Sequence, residues 1–307
     1  MPSYQKNNNI SSNDKTWIGR FAPSPSGPLH LGSLVAAVAS YMIAKQKGGR
    51  WLIRIEDLDP PREIPGASHS ILTSLEEFGL CWDGEVVYQS QRSHLYQKRI
   101  EELIERKIVY HCDCSRKMIE MRNQGIYDGY CRNRELSADC DQAIRIKFSS
   151  GFEVFDDRIL GRCQFNADLD TQDYVVKRRD GLFAYQLAVV ADDIEQGINH
   201  VVRGQDILDS TPRQNFLYHC FAQTPPSYYH LPLVKDNSGV KLSKRQGALA
   251  VNKQETTEVL LKALQHLGQD IDNQMTDSKP AEIITYFEKN WQLEPLCRVS
   301  SQNQITE

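Results

Sequence analysis

Three stretches of the chain carry side chains that could do chemistry. The first, RFAPSPSGPLHLGS at residues 20–33, places three prolines and two glycines in fourteen positions before an alanine-rich run. A helix amino terminus presents unpaired N–H groups and partial positive charge, so a stiff, bare loop feeding one is suited to hold an anion. Taken alone, the stretch reads equally well as a rigid strand-to-helix turn. The second, VKLSKRQG at residues 240–247, sets three basic side chains around a serine after the loop KDNSG, and by itself is a solvated charge run. The third is a crowding of cysteines. Of eight in the chain, Cys112, Cys114, Cys131 and Cys140 fall within 29 positions. In a cytosolic protein such crowding favours a metal over disulfides.

The elements that must position these groups can be read from composition and periodicity. A chain of 307 residues with 40% hydrophobic content can bury a substantial core and exceeds the usual size of one domain. Its longest apolar run, near Leu34 to Ala44, is broken by Ser40 and Tyr41 and is far short of a membrane span. The amino terminus has no signal-peptide hydrophobic region, so a cytoplasmic location without membrane contact is expected. A net charge of -4 argues against a general nucleic-acid coater but leaves room for a local basic face.

TWIGRFA reads as a buried strand, SLVAAVASYMIAKQK as a helix stopping at Gly48 and Gly49, and RWLIRIEDLD as a second strand. Strand, helix, strand is a βαβ unit, which implies parallel strands and a ligand crevice at their carboxyl ends. Helices are expected over residues 67–78 and 93–107. Residues 143–190 turn β-rich, with YVVKRRDGLFAYQLAVV read as a hairpin closed at Asp180-Gly181. Residues 200–250 read as mixed helix and loop, and QETTEVLLKALQHLG and PAEIITYFEKNW as amphipathic helices.

The two separated basic and glycine-bearing stretches together match the paired signatures of class I aminoacyl-tRNA synthetases. HLGS at 30–33 resembles the HIGH motif and KLSKR at 241–245 resembles the KMSKS motif, in the same order and in the same βαβ context. GRFAPSPSGPLHLGS, IRIEDLDPPR, YQLAVVADDIEQGINHVVRGQDILDSTPRQ and KLSKR look like the glutamyl-tRNA synthetase catalytic domain, over most of residues 16–250. About sixty residues follow the lysine loop, where the full-length enzymes carry a large helical anticodon-binding region. In length and in its cysteine segment the chain is similar to a truncated paralogous family that attaches glutamate to tRNA(Asp).

This resemblance implies an α/β fold: a Rossmann-like class I synthetase catalytic domain with a zinc-bearing, partly β insertion and a small helical C-terminal part. The expected divisions are a disordered tail over 1–15, a catalytic half with the HIGH-like motif over 16–110, the insertion over 111–190, and a second catalytic half with the lysine loop over 191–250. A short helical part over 251–307 replaces a full anticodon-binding domain.

The implied activity is ATP-dependent formation of glutamyl-adenylate without tRNA, then transfer of glutamate to queuosine at the wobble position of tRNA(Asp). Two alternatives keep the fold: a shortened glutamyl-tRNA synthetase that charges tRNA(Glu) at its 3′ end, or a noncatalytic RNA-binding descendant. Joining two anions calls for positioning and positive electrostatics, with little need for a side-chain nucleophile.

By resemblance, His30 donates to phosphate oxygens, the alternative being a cap on its own helix, and Gly32 lets the backbone approach the nucleotide. Position 33 is a serine where the motif has a second histidine. Lys244 is expected to follow the departing pyrophosphate, assisted by Lys241 and Ser243; a lysine's compact charge on a flexible stem suits a moving phosphate. Arg20 and Arg203 correspond to glutamate-binding arginines, Glu56 takes the α-ammonium, Tyr185 adds a hydroxyl, and Phe21, Ala22, Pro23 and Ser24 line the pocket. Magnesium is expected with ATP, and a monomer is expected.

For the metal, Cys112, Cys114 and Cys131 are the expected thiolates, and structural zinc takes four ligands. Spacing alone favours Cys140 as the fourth, with His111 behind it. The paralogues' Cys-x-Cys then Tyr-x3-Cys pattern points instead to Tyr127. Arg116, Lys117, Arg122, Arg132 and Arg134, with Arg178 and Arg179, could contact RNA phosphates or form a solvated face.

Overall fold

The unit around the proline loop sets the architecture. A computed structural model describes residues 16–137, 142–166, 172–233 and 256–297. The described strands are β1 (Ile18–Phe21), β2 (Arg50–Ile55), β3 (Val87–Tyr88), β4 (Val109–Cys112), β5 (Ala143–Ile146), β6 (Val154–Asp157), β7 (Gly161–Gln164), β8 (Tyr174–Lys177), β9 (His200–Gly204) and β10 (Ser227–Leu231). The described α-helices are α1 (Leu31–Lys45), α2 (Ala67–Glu77), α3 (Ser93–Glu105), α4 (Arg116–Asn123), α5 (Tyr185–Glu195), α6 (Thr211–Cys220), α7 (Thr256–His266) and α8 (Pro280–Asn290).

Five strands form a sheet in the order β10-β9-β1-β2-β3, with every pairing parallel. From central β1 the chain crosses through α1 to β2 on one side, while β9 and β10 continue the sheet on the other. That reversal opens a crevice beyond the carboxyl ends of β1 and β9. α1 can turn back tightly into β2 because Gly49 has no side chain; a Cβ there would collide with the Trp17 carbonyl.

Strand periodicity separates the two faces of this sheet. Phe21, Trp51, Ile53, Ile55, Val202, Tyr229 and Leu231 belong to one core with α1 and with Leu260, Leu264, Ile283 and Phe287 of α7 and α8. α1 is therefore buried nearly all round, which its short apolar side chains allow. The opposite face carries Arg20, Arg54, Arg203 and His230, all buried. Parallel register puts Arg203 beside His230 and Arg20 beside Leu52. A buried sheet face this polar must find its counter-charges in the covering layer.

Between β3 and β9 the chain builds a three-stranded antiparallel sheet, β4-β5-β8, and a separate hairpin, β6–β7. The expected hairpin at Asp180-Gly181 forms only its turn. The Arg178 N–H donates to the Leu182 carbonyl and Lys177 bridges Phe183, after which the chain enters α5 at Tyr185. The apolar run QLAVV fits a strand by its pattern, but a short apolar run does not separate the two states, and here it continues through Asp192 to Glu195 as one helix. The same ambiguity hid β9 and β10 in the stretch read as helix and loop. No described helix is long and apolar enough to cross a membrane.

Candidate active site

A cavity of about 610 Å³ opens at the carboxyl ends of β1, β2, β9 and β10. Arg20, Phe21, Ala22, Pro23, Ser24, Glu56, Tyr185 and Arg203 all line it, and His30 and Gly32 line it from the loop and first turn of α1. The loop is tied down by its own backbone: Glu56 N–H donates to the Pro23 carbonyl at 2.9 Å and Ile64 N–H to that of Pro25 at 2.9 Å.

His30 is the N-cap of α1. The Ser33 N–H donates to its Nδ1 at 3.2 Å, and the Ser33 hydroxyl lies 2.9 Å from Nε2. The ring thus caps its own helix and faces the cavity at once, and the serine in place of a second histidine is its partner. Lys241, Ser243 and Lys244 lie outside the described residues. Leu231, Pro232 and Leu233, the last residues described before that segment, line the same cavity.

Arg20 is held by charge. Its Nε donates to Asp193 Oδ1 at 3.2 Å, and Arg54 Nη1 donates to the same oxygen at 2.7 Å and to Gln196 Oε1 at 2.7 Å. Arg54 Nη2 lies 3.5 Å from Glu56 Oε1, and its Nε lies 3.7 Å from Asp192 Oδ2. Asp192 also accepts from Gln89, Arg92 and Tyr96. Three guanidinium groups thus meet three carboxylates, the arrangement that makes burial of a charge tolerable. Burial pushes the Glu56 carboxyl up to about 7, against the downward pull of Arg54 and Arg20. A carboxyl in that position gains from a cation placed beside it.

Arg203 is held by neutral groups. Its Nε donates to His230 Nε2 at 2.9 Å, Nη1 to Gln214 Oε1 at 2.7 Å and Nη2 to Thr211 Oγ1 at 2.7 Å, with the Tyr228 ring 5.1 Å from its centre. A guanidinium has five N–H donors, so these bonds leave two, the number that a bidentate carboxylate accepts.

Sequence reasoning missed the supporting residues: Arg54, Asp192, Asp193, Gln214, Thr211 and His230. Two of them left a trace. Arg54 is a charge inside the apolar strand RWLIRI, and Asp192-Asp193 interrupt an apolar helix.

The cysteine segment forms a second, smaller site. The sulfurs of Cys112, Cys114 and Cys131 lie within 4.8 Å of one another, and those of Cys114 and Cys131 are 3.4 Å apart. Tetrahedral bonds of about 2.3 Å put ligand sulfurs roughly 3.8 Å apart, so the triad fits zinc. The Tyr127 hydroxyl lies 3.6 Å from Cys112 Sγ and accepts the Cys131 N–H at 3.0 Å. Arg122 and Arg145 donate to Cys114 and Cys112 at 3.2 and 3.3 Å; against the upward push of burial, Tyr127 and Arg145 hold the Cys112 thiol below its usual range, whereas burial and Asp113 push that of Cys131 up to about 12. Among the described residues His111 does not join this group, and Cys140 lies outside them.

Comparisons with known proteins identify the chain's relatives. A profile of the tRNA synthetases class I (E and Q), catalytic domain, matches residues 18–301. The chain is 48% identical over 281 residues to a glutamyl-Q tRNA(Asp) synthetase of Vibrio vulnificus, covering 92% of this chain and 91% of that one. It is 46% identical over 286 residues to one of Pseudomonas putida, covering 93% and 96%. A crystal structure of a glutamate tRNA ligase from Elizabethkingia meningosepticum in complex with its amino acid superposes with a TM-score of 0.67 at 29% identity. That match covers 76% of this chain and 53% of the ligase, so the chain spans about half of that protein's length. With the family profile matching most of the chain and relatives identical at nearly half of the aligned positions, the chain belongs to the class I tRNA synthetases for glutamate and glutamine, and within them to the family of the glutamyl-Q tRNA(Asp) synthetases.

Proposed function

We propose that the protein activates glutamate with ATP in the absence of tRNA and then transfers it to queuosine at the wobble position of tRNA(Asp). The observation that carries the first step is the pairing of two buried arginines, Arg20 and Arg203, with the raised carboxyl of Glu56 around one cavity. The relatives' names support the acceptor.

In this reading Arg20 and Arg203 take the substrate's carboxylates, Glu56 takes its ammonium, and the Tyr185 hydroxyl closes the pocket above Phe21, Ala22, Pro23 and Ser24. The N–H groups at the start of α1, reached past Gly32, and the imidazole of His30 receive ATP phosphates. A carboxylate oxygen attacks the α-phosphorus, the bond to the bridging oxygen breaks, and pyrophosphate leaves with Lys244, aided by Lys241 and Ser243. A queuosine hydroxyl then attacks the acyl carbon and loses its proton, forming the ester, while AMP leaves with the bonding electrons and its phosphate takes up that proton. Magnesium enters with ATP. Cys112, Cys114, Tyr127 and Cys131 would hold one structural zinc that fastens the segment 111–190 beside the catalytic halves.

The acceptor is tested by supplying radiolabelled glutamate with tRNA(Asp) containing queuosine, tRNA(Asp) lacking it, and tRNA(Glu). Label on the first alone is expected. Label confined to tRNA(Glu) would replace this reading with 3′-end charging.

A further inference from the structure

Arg203 Nε carries a single hydrogen, and its direction fixes the plane of the whole guanidinium. That hydrogen points at His230 Nε2, 2.9 Å away on the neighbouring strand. Nε2 can accept it only if the ring carries its proton on Nδ1.

On the far side of the ring, Asp157 Oδ2 lies 2.7 Å from Nδ1, and His230 N–H donates to the same carboxylate. Asp157 cannot swing away. Its Oδ1 accepts the N–H groups of Ile159 and Leu160, each at 2.9 Å. Thr211 Oγ1, which accepts from Arg203 Nη2, also lies 3.3 Å from His230 Nε2 and closes the ring of contacts. Both His230 and Asp157 are buried, at 0% and 4% exposure. Burial pushes His230 down and keeps it neutral; burial pushes Asp157 up, but the His230 side chain and the Leu160 and Ile159 N–H groups outweigh this and hold it ionised. Asp157 reaches the sheet from β6, the end of a hairpin strand 73 positions earlier, so the insertion supplies the fixed point.

On the reading above, in which Arg203 binds a carboxylate of glutamate, we propose that Asp157 and His230 are positioning residues for its guanidinium. Asp157 selects the imidazole tautomer that accepts from Arg203, and this aims the two remaining N–H groups into the cavity. The imidazole also acts as a neutral spacer. It keeps the Asp157 charge from competing directly with the substrate for the guanidinium.

Asp157→Asn preserves shape but inverts this chemistry. Its amide oxygen must stay with the two backbone N–H groups, so its NH2 faces Nδ1, driving the ring proton to Nε2 and setting donor against donor at Arg203. In glutamate-dependent ATP–pyrophosphate exchange by the full chain, Asp157→Asn is expected to raise the KM for glutamate at least about tenfold, with kcat and the KM for ATP within about threefold. His230→Leu should repeat that loss. His230→Gln, which keeps an acceptor oxygen, should stay within about threefold of wild type.

Glutamate KM at the wild-type level in both Asp157→Asn and His230→Leu would overturn the inference. So would an equal fall of all three variants in every parameter, which is the mark of a merely structural role. Should Asp157→Asn not fold, the leucine and glutamine variants of His230 decide the matter. An inactive wild type would sink the functional reading instead, and glutamate calorimetry on the same variants would still test the positioning.

Discussion

Arg20 and Arg203 stand on neighbouring strands, on the same buried sheet face, and are held in opposite ways. Arg20 touches its counter-charge: Asp193 contacts it directly and is shared with Arg54. The described polar contacts of Arg203 are neutral, and the carboxylate of Asp157 sits behind one of them, the His230 imidazole. A contact ion pair fixes a guanidinium firmly but cancels much of its field. A neutral cage leaves the field for a ligand, and the counter-charge one ring further out still lowers the cost of burial. On the proposed reading the pocket therefore offers the substrate two unlike arginines, one sharing its charge with the protein and one whose charge is left mainly for the ligand.

The largest effect that could break this contrast is on stability. Arg54→Met strips Asp192, Asp193 and Glu56 of their shared cation, leaving three largely buried carboxylates with only Arg20 and Arg92 to compensate them. It is expected to cost about 3–5 kcal/mol in denaturant unfolding. Arg203→Met removes a cation that no carboxylate touches among the described residues. It should cost distinctly less stability while raising the glutamate KM about 100-fold, roughly 2.7 kcal/mol of binding. If the two variants lost stability equally, the distinction between a structural and a substrate-facing arginine would fail.

A smaller effect sharpens the contrast through pH. The Glu56 carboxyl is raised to about 7 in the folded protein. Its protonated form favours folding, so its contribution to stability is present below the ordinary carboxylate range and is lost as pH rises through about 7. A bound ammonium prefers the ionised form, so glutamate affinity should run the other way, weakening by up to about tenfold per unit as pH falls below 7. Glu56→Gln should flatten both profiles. Calorimetric glutamate titrations alongside thermal melts from pH 5.5 to 8.5, a span of ~3 units around the raised value, would read both signs.

The sequence revealed the parts of this site that depend on local pattern. The proline loop, α1 and β2 form the expected βαβ unit, and every described residue assigned to the pocket lines the one cavity. The helices α7 and α8 were legible from apolar periodicity, although not their packing against α1. What was illegible depends on tertiary pairing. Arg54 in RWLIRI looks like a flaw in a buried strand until Asp193, 139 positions later, meets it. His230 in SYYHL and Asp157 in VFDD have no local signature, because their meeting requires a hairpin from the insertion to reach the sheet edge. The strand read into YQLAVV failed for the converse reason: its local pattern fits either state, and only packing against α3 and α6 selects the helix.

The central claim is that this pocket selects an acidic amino acid and activates it with no RNA present. ATP–pyrophosphate exchange with purified full-length protein, run without tRNA and with glutamate or glutamine as the only amino acid, tests it most directly. Exchange with glutamate and at least about 100-fold less with glutamine is expected, since the amide cannot pair ionically with either guanidinium. Exchange that appears only after tRNA is added, or that runs equally well with glutamine, would contradict it.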